Sequence, residues 1–334
     1  MVSVIATLLE SDDPGVRLKT RLQLFSEDPG SAKIVKLREE VRSSQTVKLL
    51  LSERRKDGTL PWHPYAKWDG AHWVLAALAD LGYPQSVRSL IPLREQMYKW
   101  LLSKEHQEHT EARPYSHRPP ASLIGLIKDR PRVHGSMEGN AVWYLHRLGL
   151  FDKKAEKLVQ RLLQTQWPDG GWNCDGDPNA VNSSFMETIL PLRAMALHAK
   201  IERSSEAKQA AKRAGEVFLK RRLFKRLKTG GIINRDFTRL HYPLYWHYDI
   251  LHGLKIMTEA GFIKDERCRD ALDFLETKRL KSDGFAAEAK YYRVAKARGG
   301  RSLVSWGTLA PRAMNEFVTI DALSVLKAAG RWKP

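Results

Sequence analysis

A turn that contains glycine recurs along the chain, each time between a charged helical segment and a more apolar one. Asp57 and Asp169 in two of the turns are 112 residues apart, or two steps of 56, and Gly230 and Gly284 in two others are 54 apart. This period is longer than most solenoid repeats and suits a helical hairpin with a generous loop. A fifth turn, without the Asp-Gly pair, falls near residues 104–118. The four glycine turns read RKDGTLPW (55–62), WPDGGWN (167–173), KTGGIIN (228–234) and KSDGFAA (281–287).

The helical segments on the two sides of these turns differ in their hydrophobic pattern. Segments 33–54, 152–166 and 265–278 carry apolar residues at spacings of three and four with charge on the opposite face, which predicts outer helices. The segments after the turns are apolar over most of their circumference, which predicts buried inner helices. Four of them run into a glycine, where a left-handed C-cap is expected. The inner segments are 68–83, 139–150, 185–199, 246–262 and 315–330, and the glycines are Gly82, Gly149, Gly261 and Gly330.

This alternation predicts an all-α fold, an α/α toroid (barrel) of about five to six helical hairpins with parallel inner helices ringed by outer helices. We interpret residues 1–334 as one domain in which residues 1–32 add N-terminal helices that close the ring. Parallel inner helices bring their N-termini to one end, where partial positive charge and free N–H groups gather. The long connectors 104–138 and 288–314 each precede an inner helix, so we expect them to overhang this mouth and to act as binding loops.

Polar and aromatic side chains occupy the first turns of all five inner segments. Capping and compensation of the helix dipole explain part of this pattern, because Asn182, Ser183 and Asn315 are good N-cap residues. They do not explain why tryptophan and histidine recur in the same turns, so substrate binding or catalysis is the alternative. The candidates are Trp68, Asp69, His72, Glu138, Glu187, Trp246, His247, Tyr248, Asp249, His252 and Glu316.

Two groups in this set have the chemistry of acids and bases. Asp249 and His252 are three residues apart and share a helix face, as an oriented proton donor and acceptor would. They could equally be two metal ligands that take a third from Cys174, Asp175 or Asp177, or His252 could be a satisfied core histidine. Asp175 and Asp177 lie in the loop that leads to the mouth. There, two neighbouring carboxylates raise each other's proton affinity, so one could serve as an acid. No strong, close-spaced metal motif supports the metal interpretation, so no metal ligand is assigned and the cofactor is left open.

The chain is strongly basic, with 56 Lys and Arg against 38 Asp and Glu and a formal net charge of +18. A small-molecule or anionic substrate, nucleic acid or peripheral contact with an acidic membrane surface would each fit this charge, as would a merely solubilising surface. No strong nucleic-acid motif supports the second of these partners. Arg293 and Arg298 are the cations of the second long connector that we assign to substrate binding. The oligomeric state is left open.

The cysteine content and the N-terminal sequence favour one cellular compartment. Two cysteines, Cys174 and Cys268, make no disulfide framework and fit a reducing compartment. The N-terminal residues lack the basic and apolar regions of a signal peptide, and no stretch approaches the length of a membrane span. We therefore expect a cytoplasmic protein.

The segment from Gln166 to Trp172 resembles the Q-x3-G-x-W core (QW motif) of the repeat in squalene and oxidosqualene cyclases, and LETKRLKSDGF (275–285) is similar to it. This prenyltransferase/squalene cyclase repeat defines a superfamily of α/α toroids that includes protein prenyltransferase β subunits. Single-domain bacterial members are the most similar in organisation. The cyclases carry a D-x-D-D acid motif, to which only Asp175-Gly176-Asp177 corresponds. The prenyltransferases bind zinc through Asp, Cys and His, and the nearest equivalents here are Cys174, Asp175 and His247.

Three functional hypotheses follow. The first is a terpenoid-cyclase-like enzyme that acts by acid–base chemistry on an apolar-tailed, isoprenoid-type substrate in the central barrel cavity. The second is an α/α-barrel polysaccharide lyase or glycosidase that acts on an acidic glycan, with mouth carboxylates as acid and base. The third is a non-catalytic basic binding protein. For the cyclase, aromatic side chains would stabilise a carbocation; they are Trp62, Trp68, Trp143, Trp246, Tyr248 and Trp306.

Overall fold

The computed structural model describes residues 3–108, 130–177, 179–295 and 299–334. The regular secondary structure of the described part is almost all helix, with one short pair of parallel strands, β1 (Arg293–Val294) and β2 (Arg301–Ser302), in which Arg293 pairs with Arg301. Three short 3-10 turns cover Arg88–Leu90, Arg235–Thr238 and Glu266–Cys268. The helices are α1 (Val4–Leu9), α2 (Pro14–Lys19, continued by a π-helical turn at Thr20–Leu24), α3 (Ala32–Ser43), α4 (Gln45–Leu50), α5 (Ala71–Leu81), α6 (Ile91–Leu101), α7 (Lys104–Glu108), α8 (Gly135–Arg147), α9 (Lys153–Thr165), α10 (Phe185–Glu202), α11 (Ser205–Leu219), α12 (Ile250–Glu259), α13 (Arg269–Glu276) and α14 (Glu316–Ala328).

Six helices form a closed inner ring. Helix α2 packs on α5, and the ring continues through α8, α10, α12 and α14 until α14 returns to α2 and its π-helical turn. Each inner helix except α14, the last, carries on its outside a helix that follows it in the chain, so that α3, α6, α9, α11 and α13 form an outer layer. The predicted α/α toroid is therefore confirmed, and residues 14–24 complete its ring.

The burial of the two layers follows the sequence pattern. Helix α9 buries only one stripe, which consists of Ala155, Leu158, Val159 and Leu162. In α8, by contrast, every residue from Gly135 to His146 is buried. The four glycines that follow inner helices all have positive φ, at 81° for Gly82, 64° for Gly149, 81° for Gly261 and 74° for Gly330, as the C-cap prediction requires.

The inner helices run in the same direction. Neighbouring contacts lie at matched heights, because His72 near the start of α5 meets α8 while Ser86, beyond the end of α5, donates to the carbonyl of Leu148. His146 and His198 meet near the ends of α8 and α10. We call the end at which these helices begin the N-terminal pole and the other end the C-terminal pole.

Two connectors cover the N-terminal pole, and one of them, residues 288–314, was expected to do so. In the connector 288–314, the carbonyl of Arg301 accepts from the backbone of Trp68, and Gly300 donates to the carbonyl of Lys67. The other cover is residues 241–248, between α11 and α12. Sequence analysis placed residues 246–248 in an inner helix, but this helix begins only at Ile250. The connector 104–138 is shorter than predicted, because Lys104–Glu108 is helical and α8 already begins at Gly135.

None of the described helices is both long and apolar enough to cross a membrane.

Candidate functional site

A cluster of ionisable side chains lies at the N-terminal pole between α8 and α10. Glu187, in the first turn of α10, accepts the backbone N–H of Ser136 at the start of α8 (2.9 Å), and its Oε1 lies 3.7 Å from Nδ1 of His134. Cys174 comes from the loop before α10. The donor atoms of His134, Cys174 and Glu187 all lie within 4.8 Å of one another. Three separate segments of chain therefore converge on one point. We call these three residues, together with Glu138, the polar cluster.

Glu138 completes this cluster one turn into α8. Its Oε1 accepts from Nε of Arg161 at 2.6 Å, and Nε2 of His106 lies 3.9 Å away. Its Oε2 is buried and has no hydrogen-bond partner among the described residues. A buried carboxylate oxygen without a partner favours the protonated form of the acid.

The two glutamates are driven to opposite protonation states. Burial raises the pKa of Glu138 to about 7, and the guanidinium of Arg161 offsets only part of this effect. Burial also acts on Glu187, but the hydrogen bonds from His134 and Ser136 and the charge of His134 hold its pKa below the usual value. In turn Glu187 raises the pKa of His134, against the effect of burial. At neutral pH the cluster therefore pairs an ionised carboxylate with one poised to release a proton.

Half-buried aromatic side chains border the polar cluster. Burial and the charges of Glu187 and Cys174 raise the pKa of Tyr65 to about 12, so its hydroxyl lies within electrostatic reach of the cluster. Lys67 lies 5.2 Å from the ring centre of Trp246, 5.6 Å from that of Trp68 and 5.8 Å from that of Tyr65. This aromatic and cationic surface adjoins the cluster.

The axis of the ring is blocked at this pole. Tyr245 stacks on Trp68 with ring centres 3.8 Å apart, and Tyr242 donates to Oδ2 of Asp80 deep in the ring (2.7 Å). Below residues 241–245 remains a central cavity of about 90 Å³. This is well under the roughly 300–1,000 Å³ of typical small-molecule sites.

Four inner helices are joined across the axis by a ring of alternating charges. Lys19 Nζ lies 2.9 Å from Asp80 and 3.5 Å from Asp321, and Lys255 Nζ lies 3.3 Å from Asp80 and 2.8 Å from Asp321. Burial would raise the pKa of Asp80, but Lys19 and Lys255 hold it well below its usual range. Burial likewise opposes ionisation of Lys255, yet the two aspartates raise its pKa. We call these four residues the ion ring.

A wide cavity of about 920 Å³ opens at the C-terminal pole. Lys19 and Asp80 of the ion ring line it, beside Arg193, which forms a bidentate pair with Glu259 (2.5 and 2.7 Å) and lies 3.7 Å from the ring centre of Trp143. We call it the C-terminal cavity. The prediction that the mouth lies where the inner helices begin is thus incomplete, because the large opening is at their ends.

Asp249 and His252 do not form the predicted side-chain pair. Asp249 is fully buried and caps α12, since its Oδ1 accepts the backbone N–H of His252 (2.8 Å) and its Oδ2 accepts that of His241 (2.8 Å). The ring of His252 instead faces the central cavity, and its Nε2 has no partner among the described residues. Burial and the charge of Arg193 lower the pKa of His252 to about 3, so this ring is neutral.

Asp175, Asp177 and Glu316 lie apart from Asp249. Asp175 and Asp177 are exposed, and the side chain of each binds a backbone N–H two residues further along the chain. Asp175 accepts from the N–H of Asp177, and Asp177 accepts from the N–H of Asn179. Glu316 accepts from the hydroxyl of Ser11 at the start of α14. These carboxylates therefore make local contacts with the backbone or with the N-terminal segment, and do not converge on one point.

His247 lies on the aromatic surface rather than beside Cys174. It is stacked 3.4 Å from the ring of Tyr291 and 4.0 Å from that of Trp246, and burial lowers its pKa to about 4. Cys174, Asp175 and His247 do not bring their donor atoms together. Over the described residues, the set of donors that could hold a metal ion is His134, Cys174 and Glu187.

Several residues assigned to substrate binding have structural contacts instead. Asp69 accepts from Nε (2.8 Å) and Nη2 (2.6 Å) of Arg301, which also reaches Glu53, and Trp62 donates to Glu53. These bonds tie the connector 288–314 to the start of α5. Arg293 is exposed and donates to the carbonyl of Gly299. Arg298 lies outside the described residues.

The remaining aromatic candidates belong to the core. His72 contacts Asn140 and Tyr144, and burial lowers its pKa to about 3. The hydroxyl of Tyr248 donates to the carbonyl of Leu223. Only Trp143 and Trp306 of the proposed carbocation wall line the central cavity. The buried members of the set are Trp68, His72, Trp143, Tyr248 and Trp306.

Sequence analysis did not bring the residues of the ion ring together and assigned no role to His134. Asp80 and Lys255 are charged residues within largely apolar inner segments, and Lys19 lies in the N-terminal segment, so this signal is visible in the sequence. Buried charges are costly unless they are paired, so such positions predict a paired cluster even when the partners are unknown.

Comparison with known proteins bears on the fold alone. No protein-family model matches the chain, and no curated protein matches its sequence. Among solved structures, a variant of an unsaturated glucuronyl hydrolase, described with the oligosaccharide dGlcA-Glc-Rha-Glc, is similar in fold, with a TM-score of 0.42 and 12% identity. The match covers 94% of this chain and 84% of that one. A likeness this distant says nothing about residues or substrate.

Proposed function

We propose that this chain is an enzyme of the hydrolase or lyase type that acts on an acidic carbohydrate at the N-terminal pole. The observation that carries the proposal is the pair of buried glutamates on adjacent inner helices, whose surroundings raise the pKa of Glu138 to about 7 and lower that of Glu187. Such a divergence is how two carboxyl groups divide the roles of acid and base. Glu138 donates the proton and Glu187 accepts one or stabilises positive charge.

The surroundings of the pair support this class of substrate. Tyr65 and Trp246 offer half-buried rings against which a sugar can pack, and Lys67 lies over the same rings. Arg132 lies within the same region and donates to the carbonyls of Asp177 and Ala180. Together with the net charge of +18, these cations favour a substrate that carries carboxylates.

The isoprenoid hypothesis finds less support in the same geometry. A central cavity of about 90 Å³ is too small for a chain of several isoprene units. It is also lined by Arg193, Lys255, Asp80 and Asp321, whose charges do not suit an apolar tail. A cyclase would need residues 241–245 to leave the axis.

The proposal is tested by incubating the full chain with uronate-containing oligosaccharides and with farnesyl diphosphate, and following product formation by mass spectrometry. We expect activity on the oligosaccharides, with kcat reduced about 10²- to 10⁴-fold in Glu187→Gln and in Glu138→Gln. Glu202→Gln, at the exposed end of the same helix α10, is the matched control and should leave kcat unchanged. Turnover of farnesyl diphosphate alone would favour the cyclase, and full activity of both variants would move the chemistry elsewhere.

The pH dependence of this activity follows from the two pKa shifts. Glu138 must hold its proton, so kcat should decrease as the pH rises above about 7. Glu187 must be ionised, so kcat should also decrease at acidic pH, but only below the usual pKa of a glutamate. A profile that rises through pH 7 would contradict the assignment of Glu138 as the acid.

A second candidate function at the same residues is a zinc-dependent hydrolase. His134, Cys174 and Glu187 offer three donors of types that Zn²⁺ accepts, which would leave a fourth position for water or substrate. Burial and Glu187 raise the pKa of the Cys174 thiol, so binding of the metal would release a proton.

Metal analysis separates the two candidates. Purified protein equilibrated with Zn²⁺ and then dialysed should retain one zinc per chain if the second candidate holds, and Cys174→Ser should lose it while Cys268→Ser keeps it. If Cys174→Ser instead keeps full activity and the wild type retains no zinc, the metal-free mechanism through Glu138 and Glu187 stands.

A further inference from the structure

The C-terminal cavity is not used by the proposed function, and its size suits a ligand. Its volume of about 920 Å³ falls within the roughly 300–1,000 Å³ range of small-molecule sites. It is formed by the last turns of the inner helices together with α3 and the end of α2. The polar cluster lies at the opposite pole.

The charges at the floor of this cavity compensate one another. Lys19 and Lys255 are balanced by Asp80 and Asp321 in the ion ring, and Arg193 is balanced by Glu259. On its wall, Glu27 pairs with Arg21 (2.8 Å) and Glu39 with Arg42 (3.4 Å). These groups therefore contribute little net charge to the cavity.

Three further cations of the wall form no salt bridge within the described residues; they are Arg38, Arg147 and Lys200. The charge of Arg147 acts on Glu259, but that carboxylate is already paired with Arg193. Arg38 reaches the carbonyl of Gly82 (2.8 Å), which occupies one of its donors. Burial and the charge of Arg147 lower the pKa of Arg38, so these two guanidinium groups repel each other across the cavity.

Ordinary helix capping accounts for only part of this arrangement. Arg147 and Lys200 stand in the last turns of α8 and α10, where a cation offsets the helix dipole. Arg38 belongs to the middle of α3, but its guanidinium donates to the carbonyl of Gly82, the C-cap of α5, so it too lies at the C-terminal end of an inner helix. Each helix end carries roughly half an elementary negative charge, which offsets only part of a full positive charge. Two repelling guanidinium groups on one concave surface are stabilised by an anion between them.

We propose that the C-terminal cavity is a binding site for a small phosphate ester, whose phosphate is held by Arg38, Arg147 and Lys200. The guanidinium groups offer paired N–H donors that match phosphate oxygens, and three cations suit a group that carries close to two negative charges. The rest of the cavity leaves room for the ester's organic part. The site is separate from the polar cluster and does not depend on the function proposed for it.

Isothermal titration calorimetry on the full chain tests this site, with inorganic phosphate and glucose 6-phosphate as probes and citrate as the carboxylate comparison. We expect both phosphates to bind, the ester more tightly, and citrate to bind less tightly than the ester. Arg147→Gln and Lys200→Gln should each weaken binding of the ester about tenfold or more. Lys208→Gln, which removes an exposed lysine from the outer helix α11, is the matched control and should leave the affinity unchanged.

Other outcomes would overturn the proposal. Absence of phosphate binding at millimolar concentrations, tighter binding of citrate than of the ester, or equal binding by the wild type and Arg147→Gln would each do so. Circular dichroism of each variant confirms that it is folded. Because binding is read directly, Glu187→Gln should bind the ester normally, so failure of the proposed catalysis would leave this result unaffected.

Discussion

At the scale of single residues, a carboxylate in the first turn of a helix can cap the helix or act on a ligand, and the sequence alone does not separate the two. Asp249 is fully buried and binds two backbone N–H groups, whereas Glu138 leaves one buried oxygen without a described partner. The first arrangement stabilises the fold and the second stores a proton. Their responses to mutation should therefore differ.

Replacement of Asp249 tests its role as a cap. Asp249→Ala leaves two buried N–H groups unsatisfied and should lower the free energy of unfolding by about 2–3 kcal/mol. Asp249→Asn keeps only one of the two acceptor oxygens and turns an amide NH2 toward the other N–H, so it should recover only about half of this loss. Urea denaturation measures both, and a larger loss in the asparagine variant would show that the charge on Asp249 matters more than the cap.

Glu138 should make stability depend on pH. Its folded pKa of about 7 lies above the ordinary value of 4.5, so the unfolded chain ionises first and the glutamate destabilises the fold progressively from about pH 4.5 to 7. At about 1.4 kcal/mol per pH unit, wild type should lose on the order of 3 kcal/mol relative to Glu138→Gln across this window. Denaturation at several pH values checks this, and parallel pH curves would contradict it.

At the scale of helices, the inner helices α8 and α10 pack so closely that their backbones are in contact. A Cβ at Gly139 would lie 2.4 Å from the backbone N of Pro191 and 2.7 Å from the carbonyl carbon of Leu190. Glycine is therefore required here by the approach of two helices rather than by its own backbone angles. At Gly215 of the outer helix α11, the nearest atom is instead a ring carbon of Phe262, at 2.8 Å.

These two glycines make a matched pair of mutations. Gly139→Ala should destabilise the protein by about 2–4 kcal/mol, because the helices must separate. Gly215→Ala should cost clearly less, since the side chain of Phe262 can turn aside and alanine is the better helix former. Thermal unfolding of both variants gives the comparison, and equal losses would mean that α8 and α10 can slide apart.

The helices of this fold could be predicted from the sequence better than the cavities at its two poles. Apolar circumference identified the inner helices and glycines marked their ends, because both depend on local packing and backbone geometry. The connector 288–314 was expected at the N-terminal pole, but the blocking of the axis by residues 241–245 could not be predicted, because Tyr242 and Tyr245 enter the ring through contacts with Asp80 and Trp68, far away in the chain. For the same reason Glu138 and Glu187 were recognised singly, while their meeting with His134 and Cys174 was not.

At the scale of the whole molecule, the ion ring joins α2, α5, α12 and α14 across the axis. Asp80 takes part in two of its four contacts and also accepts from Tyr242. Removing one carboxylate leaves two lysines to share Asp321 in the interior. The balance of two carboxylates against two lysines therefore matters more to the stability of the fold than any single contact in the ion ring.

Asp80→Asn should lower the free energy of unfolding by about 3 kcal/mol, since it leaves buried positive charge uncompensated. The exposed Asp283→Asn serves as the control and should change it by less than about 0.5 kcal/mol. Both are measured by urea denaturation at neutral pH. A loss no larger in Asp80→Asn than in the control would show that water already compensates the lysines.

Closure of the inner ring also constrains how the protein is made. Ser11 and Glu316 touch although they are 305 residues apart in the chain. At the usual 5–20 residues per second, translation leaves the first inner helix without its final neighbour for roughly 15–60 seconds. During that interval the apolar flank of α2 that will receive α14 is uncovered on the ribosome, so a nascent chain of this kind is a natural client for chaperones until its last helix is released.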